Sequence, residues 1–148
     1  MEKETRQLED FLKSASLDDY EKYVSEKNTD TFSDLADFLN SYLANNDLVL
    51  SEVIKKSNLS RDYAYSIFNG NRKNPTRDRV IAICIACEMN LENTQRALKL
   101  CNAGTLYAKN NRDAAITICI NRGIYDIAAI NEFLFDNNLE VLKTSKDV

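Results

Sequence analysis

An all-α fold is predicted by three features of this chain. Backbone breakers are scarce, apolar residues recur at helical spacing, and alternating strand-like runs are hard to find. Three Gly and one Pro in 148 residues leave long stretches free to form helices joined by short turns. The length suits one domain, or one domain with appended helices, and a hydrophobic content of 44% is enough to build its core.

Residues 3–27 read as one or two amphipathic helices. Leu8, Phe11 and Leu12 share one face, and Leu17, Tyr20 and Val24 share another after the Ser14-Ala15-Ser16 break. Asn28-Thr29-Asp30 is a turn. Thr31 is placed to cap the next helix, where Asp34 favours the N-terminus. Phe32, Leu35, Ala36, Leu39, Tyr42 and Leu43 then form one apolar stripe, ended by Asn45-Asn46-Asp47. A short helix is predicted from about Leu50 to Lys56, with Val53 and Ile54 inward and Lys55 and Lys56 outward. Ser57-Asn58-Leu59 makes a tight turn, Ser60 caps a helix from Arg61 to Phe68, and Asn69-Gly70 supplies its left-handed stop.

Thr76 caps a helix whose body, Val80 to Cys87, is apolar nearly all round and therefore belongs at the centre of a bundle. Asn90 starts another, with Leu91, Thr94, Leu98 and Cys101 spaced for burial, ending before Gly104. Beyond it a second, smaller unit is expected. Asn110 or Asn111 caps Arg112 to Arg122, with Ala115, Ile116, Cys119 and Ile120 inward and Gly123 as the stop. Tyr125 to Asp136 presents Ile127, Ile130, Phe133 and Leu134. The expected organisation is N-terminal amphipathic helices over 1–30, a central domain over 31–104, a C-terminal helical extension over 105–143 and a disordered tail over 144–148.

Several function classes fit poorly. The longest apolar run, Val80 to Cys87, has eight residues, against the roughly 20 a bilayer requires. Met1-Glu2-Lys3-Glu4 has no apolar stretch behind it, so neither a membrane span nor a signal peptide is expected, and the location expected is cytoplasmic. Cys84-Ile85-Ala86-Cys87 has the spacing of a metal knuckle but lies within a helical apolar run, and the chain has no His to complete a mixed site. Cys84, Cys87, Cys101 and Cys119 are expected as buried thiols, with no metal and no cofactor. With no His, no Gly-rich phosphate loop and no Ser or Cys beside an identifiable base, no catalytic residue is assigned and an enzyme is not expected.

Charge is unevenly spread. The net charge is −4, yet residues 1–47 carry 12 acids and 5 bases, whereas residues 48–80 carry three acids against seven bases. Those bases are Lys55, Lys56, Arg61, Arg72, Lys73, Arg77 and Arg79. Phosphate binding depends on local charge, so an acidic total does not forbid it. The basic segment coincides with two short helices joined by a three- or four-residue turn, the second starting with polar residues. That is the pattern of a helix-turn-helix, in which the second helix enters the major groove by its N-terminal end.

The stretches LSRDYAYSIFNGNRKNP and TRDRVIAICIACEMNLE resemble the lambda-repressor-like (Cro/repressor, XRE-type) family over roughly residues 31–101. The resemblance implies a five-helix bundle that binds double-stranded DNA as a bacterial transcriptional regulator. It places Arg61, Asp62, Tyr65 and Ser66 at base edges, and Lys55, Asn69, Arg72, Lys73 and Arg77 at phosphates. Four positions depart from the family's pattern: Leu50 stands where a phosphate-touching Gln is usual, Ile54 where a small residue is expected, Asn58 where the turn carries Gly, and Asp62 puts a carboxylate that phosphate repels unless it accepts from a cytosine amino group. LYAKNNRDAAITICINRGIYDIAAINEFLFDNN, from Leu106, is similar to the helical extension on a subset of such regulators from Gram-positive bacteria. Because Phe133, Leu134 and Phe135 are consecutive, at least one aromatic must leave the local core, to be covered either by the N-terminal helices or by a second subunit; a homodimer is expected. The alternative is a protein-interaction module that keeps the fold without strong DNA binding and meets its partner through the N- or C-terminal helices.

Overall fold

The computed structural model describes residues 32–144, and the predicted helices of residues 3–27 and the Thr31 cap lie outside them. Among the described residues there are seven helices and no strand: α1 Leu35–Asn45, α2 Leu50–Ser57, α3 Arg61–Phe68, α4 Arg77–Ala86, α5 Leu91–Leu100, α6 Asn111–Asn121 and α7 Ile127–Asp136. The fold is all-α, as the scarcity of breakers predicted. None of these helices is long and apolar enough to cross a membrane.

The cap of α1 is Asp34, whose carboxylate accepts the Asp37 N–H at 2.9 Å. Starting at Leu35 sets the phase of the buried stripe to Leu35, Phe38, Leu39 and Leu43. Phe38 therefore joins the core, while Ala36 and Tyr42 stay half-buried at its margin. Ser60, Asn90, Asn110 and Asp126 cap their helices through side-chain oxygens. Thr76 precedes α4 but caps nothing with its hydroxyl, which faces the Arg79 guanidinium at 3.4 Å instead.

Helix α4 is the axis of the bundle. Every residue from Arg79 to Cys87 is buried, because α2, α5 and α7 all pack against it. A helix apolar all round has no face to give to water, and burying each Val or Ile is worth about 1.5–3 kcal/mol. Helices α1 and α3 close the bundle beside α2 and α5. The amide of Asn40 on α1 donates at 2.8 Å to the carbonyl of Phe68, which fixes where α3 ends.

The C-terminal helices are not a second unit. Among the described residues, 33–144 belong to one compact body, and α6 and α7 pack on α5 and α4 respectively. Gln95 holds the connecting segment by accepting from the Leu106 N–H (2.7 Å) and donating to its carbonyl (2.9 Å). Thr144, expected in a disordered tail, is buried, and its hydroxyl accepts from the Asn58 amide at 2.9 Å. On α7, Ile127, Ile130 and Leu134 point inward as predicted, but Phe133 is 39% and Phe135 74% exposed. The four thiols are free and buried. Burial raises all of them, and Cys87 is pushed up to about 12.

Candidate nucleic-acid interface

The turn between α2 and α3 is closed by Asn58 in the left-handed conformation (φ 60°), the position where a Cβ is least costly for Asn or Asp. The buried Ser57 hydroxyl donates to the Ile54 carbonyl (2.7 Å) and accepts from the Leu59 N–H (3.2 Å), so the turn is satisfied from within. Ser60 then accepts from the Tyr63 N–H at 3.3 Å and starts α3. Ala64, Ile67 and Phe68, at helical spacing, are buried against the bundle. The opposite face carries Arg61 and Asp62, both exposed, and Tyr65, half-buried. Gly70, with φ 84°, ends the helix and sends the chain into the basic loop.

A groove of about 730 Å³ runs between α2 and the start of α3. Ile54 and Leu59 contribute its buried apolar lining, and Lys55, Arg61 and Tyr65 also line it. The Arg61 guanidinium lies 5.5 Å from the Tyr65 ring centroid. Ile54, which stands where a small residue was expected, is 8% exposed, and Ala64 on the facing helix is fully buried.

The expected site residues separate into three groups. Arg61, Asp62, Tyr65, Lys55, Asn69, Arg72 and Lys73 are available to a partner to differing degrees. Lys73 is exposed and pairs with Asp34 at 3.3 Å, a pair open enough to water for a phosphate to compete with it. The Asp34 carboxyl is held below its usual value mainly by the Asp37 N–H, with Lys73 adding to the effect against some desolvation. Asn69 is exposed, and its carbonyl oxygen accepts from the Asn71 N–H at 2.9 Å.

Ser66 belongs to a second group. Its hydroxyl donates to the Tyr63 carbonyl (2.6 Å) and accepts from Arg72 Nε (2.9 Å), so it serves the chain's own loop and not an outward face. Tyr63 turns the same way. Its ring carries the Arg72 guanidinium at 4.0 Å and the Arg79 guanidinium at 4.5 Å, and its hydroxyl accepts from the Thr76 N–H at 3.2 Å.

Arg77 alone forms the third group, because its side chain is engaged within the fold. Its guanidinium makes a bidentate pair with Asp113 (2.9 and 2.7 Å) and donates to the carbonyls of Gly104 and Thr105 at 3.0 Å each. Four of its five N–H groups are committed in this way, which leaves a single Nη1 donor and no free fork for a phosphate. Next to it, Asp78 receives Arg112 in the reverse sense (3.1 and 2.8 Å), and Arg112 also donates to the carbonyls of Glu140 and Val141. Two adjacent residues at the start of α4 thus exchange ion pairs with two adjacent residues at the start of α6. Burial raises the Asp113 pKa, but hydrogen bonds from Arg77 and the Tyr107 N–H outweigh it, and the carboxyl sits below its ordinary value. The same pair raises the Arg77 pKa further.

A signal for this clamp exists in the sequence. Ser60-Arg61-Asp62, Thr76-Arg77-Asp78 and Asn111-Arg112-Asp113 repeat one pattern at three helix starts. Nothing in the triplets says that the last two interlock while the first stays open.

Comparisons of the chain with models of protein families, with curated proteins and with solved structures found no match. Among the described residues, no group of three or more His, Cys, Asp or Glu is placed to hold a metal ion.

Proposed function

We propose that this chain is a sequence-specific, lambda-repressor-like DNA-binding regulator whose helix α3 reads the major groove. The observation that carries the reading is the exposed start of α3. Arg61, Asp62 and Tyr65 lie on its outer side, the bundle lies on its inner side, and Lys55, Arg72 and Lys73 stand on the flanking elements. Arg61 is suited to the O6 and N7 acceptors of guanine, and Asp62 to the exocyclic amino group of cytosine. Lys55, Arg72 and Lys73 supply the phosphate contacts, with Asn69 beside them as a neutral donor. Asn58 supports the reading further, since its left-handed conformation supplies what Gly provides in the family's turn.

The deciding experiment is selection from a random duplex library at low and moderate salt. An enriched motif is expected, with affinity falling steeply as salt rises. Arg61→Ala should lose discrimination, while Lys73→Ala should weaken all sequences alike and reduce the salt slope by about 0.9. Unselective recovery of sequences at both salts, or an unchanged preference in Arg61→Ala, would refute the assignment of α3.

A second reading, as a protein-interaction module, is favoured by the outer face of α7. Phe133 and Phe135 are exposed beside Glu132 and Asp136, and no Lys or Arg occurs from Gly123 to Leu142. Self-pairing of this face, the route to the homodimer, brings like charges together, so dimerisation should strengthen with salt while DNA binding weakens. Sedimentation at two salt concentrations separates the cases. A monomer at micromolar concentration in both would remove the homodimer and leave the aromatic–acidic face to a different protein.

A further inference from the structure

We propose that Tyr63 and Ser66 are positioning residues that hold the Arg72 guanidinium ready for a DNA phosphate, without touching DNA themselves. The inference rests on the nucleic-acid reading above and reassigns Ser66 within it. Arginine is a flexible side chain, and fixing it on binding costs affinity unless the fold has fixed it already. Here the fold has done so at several points. The Arg72 N–H donates to the Ser66 carbonyl at 2.8 Å, which sets the loop backbone. Its Nε–H donates to the Ser66 hydroxyl at 2.9 Å, which sets the rotation of the guanidinium plane. The ring of Tyr63, 4.0 Å from the guanidinium carbon, supports the group on one side.

What remains unused decides the role. A guanidinium donates from its edges, in its own plane, so an aromatic ring against its face blocks none of the N–H groups. With Nε committed to Ser66, the two terminal nitrogens keep their donors in the fork that matches two phosphate oxygens. Arg72 is exposed, so an anion can reach that fork. Tyr63 also ties down the far end of the loop, because its hydroxyl accepts the Thr76 N–H at 3.2 Å. A tyrosine and a serine on the reading helix thus act on the loop that follows it. Mounting this arginine on α3 makes its position relative to Arg61 a property of one rigid element.

The test combines motion in the free protein with binding to a defined duplex, either the selected site or an unrelated sequence. In the wild type, ¹⁵N relaxation of Arg72 Nε should report a rigid group. In Tyr63→Leu and in Ser66→Ala its order parameter should fall below about 0.6. Both variants should weaken the selected and the unrelated duplex equally, by about two- to tenfold, the penalty for immobilising one long side chain. Tyr63→Phe, which keeps the ring, should stay within about twofold of wild type. The effects of Tyr63→Leu and Ser66→Ala should vanish in an Arg72→Ala background. Additive losses in that background, an equally rigid Arg72 in both variants, or a changed base preference in Ser66→Ala would overturn the positioning role. Thermal melts identify any variant that fails to fold, and Ser66→Ala carries the test if Tyr63→Leu does so. A wild type that binds neither duplex overturns the nucleic-acid reading and the phosphate role with it. Wild-type binding with Arg72 unaffected by the variants overturns the positioning role alone.

Discussion

Replacing Arg77 by Ala distinguishes a structural clamp from a phosphate contact, and the two assignments predict opposite results. Arg77 and Asp113 are 27% and 7% exposed at their side chains and joined by two short hydrogen bonds. An exposed ion pair contributes about 1 kcal/mol or less, whereas breaking a buried one by deleting a single partner costs about 3–5 kcal/mol. This pair lies between those limits, at about 2 kcal/mol, because the Tyr107 N–H remains to support Asp113 at 2.9 Å. Loss of the donors to Gly104 and Thr105 adds about 1 kcal/mol. The total, about 3 kcal/mol, should lower the urea midpoint by about 1.5 M for an m-value near 2 kcal/mol/M. Urea titration followed by circular dichroism gives the midpoint. The double variant Arg77→Met with Asp113→Leu should recover much of the loss, because it leaves no orphaned charge. An unchanged midpoint in Arg77→Ala, accompanied by a uniform fall in duplex affinity, would refute the clamp and restore the phosphate role.

The same pair predicts a pH dependence. The folded Asp113 pKa lies below the unfolded value of about 3.9, so the carboxylate's contribution is fully present above about pH 4 and is lost as pH falls through the folded pKa. Acid titration of stability should therefore be shallower in Asp113→Asn than in wild type. Asn58→Gly should be close to neutral, because relief of the left-handed backbone offsets the lost hydrogen bond to Thr144. Asn58→Ala should cost about 1–2 kcal/mol, since it keeps the strain and loses the bond. Comparing their melting temperatures tests both. All four thiols should resist an aromatic disulfide reagent in the native protein and react together in denaturant. Fast labelling of Cys84 or Cys87 without denaturant would contradict the burial of α4.

Sequence by itself determined what depends on near neighbours along the chain. Ser60 and Asn90 were legible as helix starts because each cap bonds only a few residues onward, the α6 cap was narrowed to Asn110 or Asn111, and Gly70 and Gly123 were legible as stops because a positive φ is a local demand. The burial of α4 was legible as well, since a helix without a polar face has one place to go. The exposed face of Arg61 and Asp62 followed from the inward spacing of Ala64, Ile67 and Phe68. Partner choice among equivalent charges was not legible. Arg61, Arg77 and Arg112 occupy matching places in three similar triplets, yet only tertiary packing sets Arg77 against Asp113 and Arg112 against Asp78, and leaves Arg61 open to solvent. Residues 36 and 34 apart in sequence meet because α6 docks across the start of α4. The Ser66 hydroxyl and the docked Thr144 were hidden for the same reason: a polar side chain's sequence shows what it can bond, and only the folded chain shows which partner arrives within 3 Å.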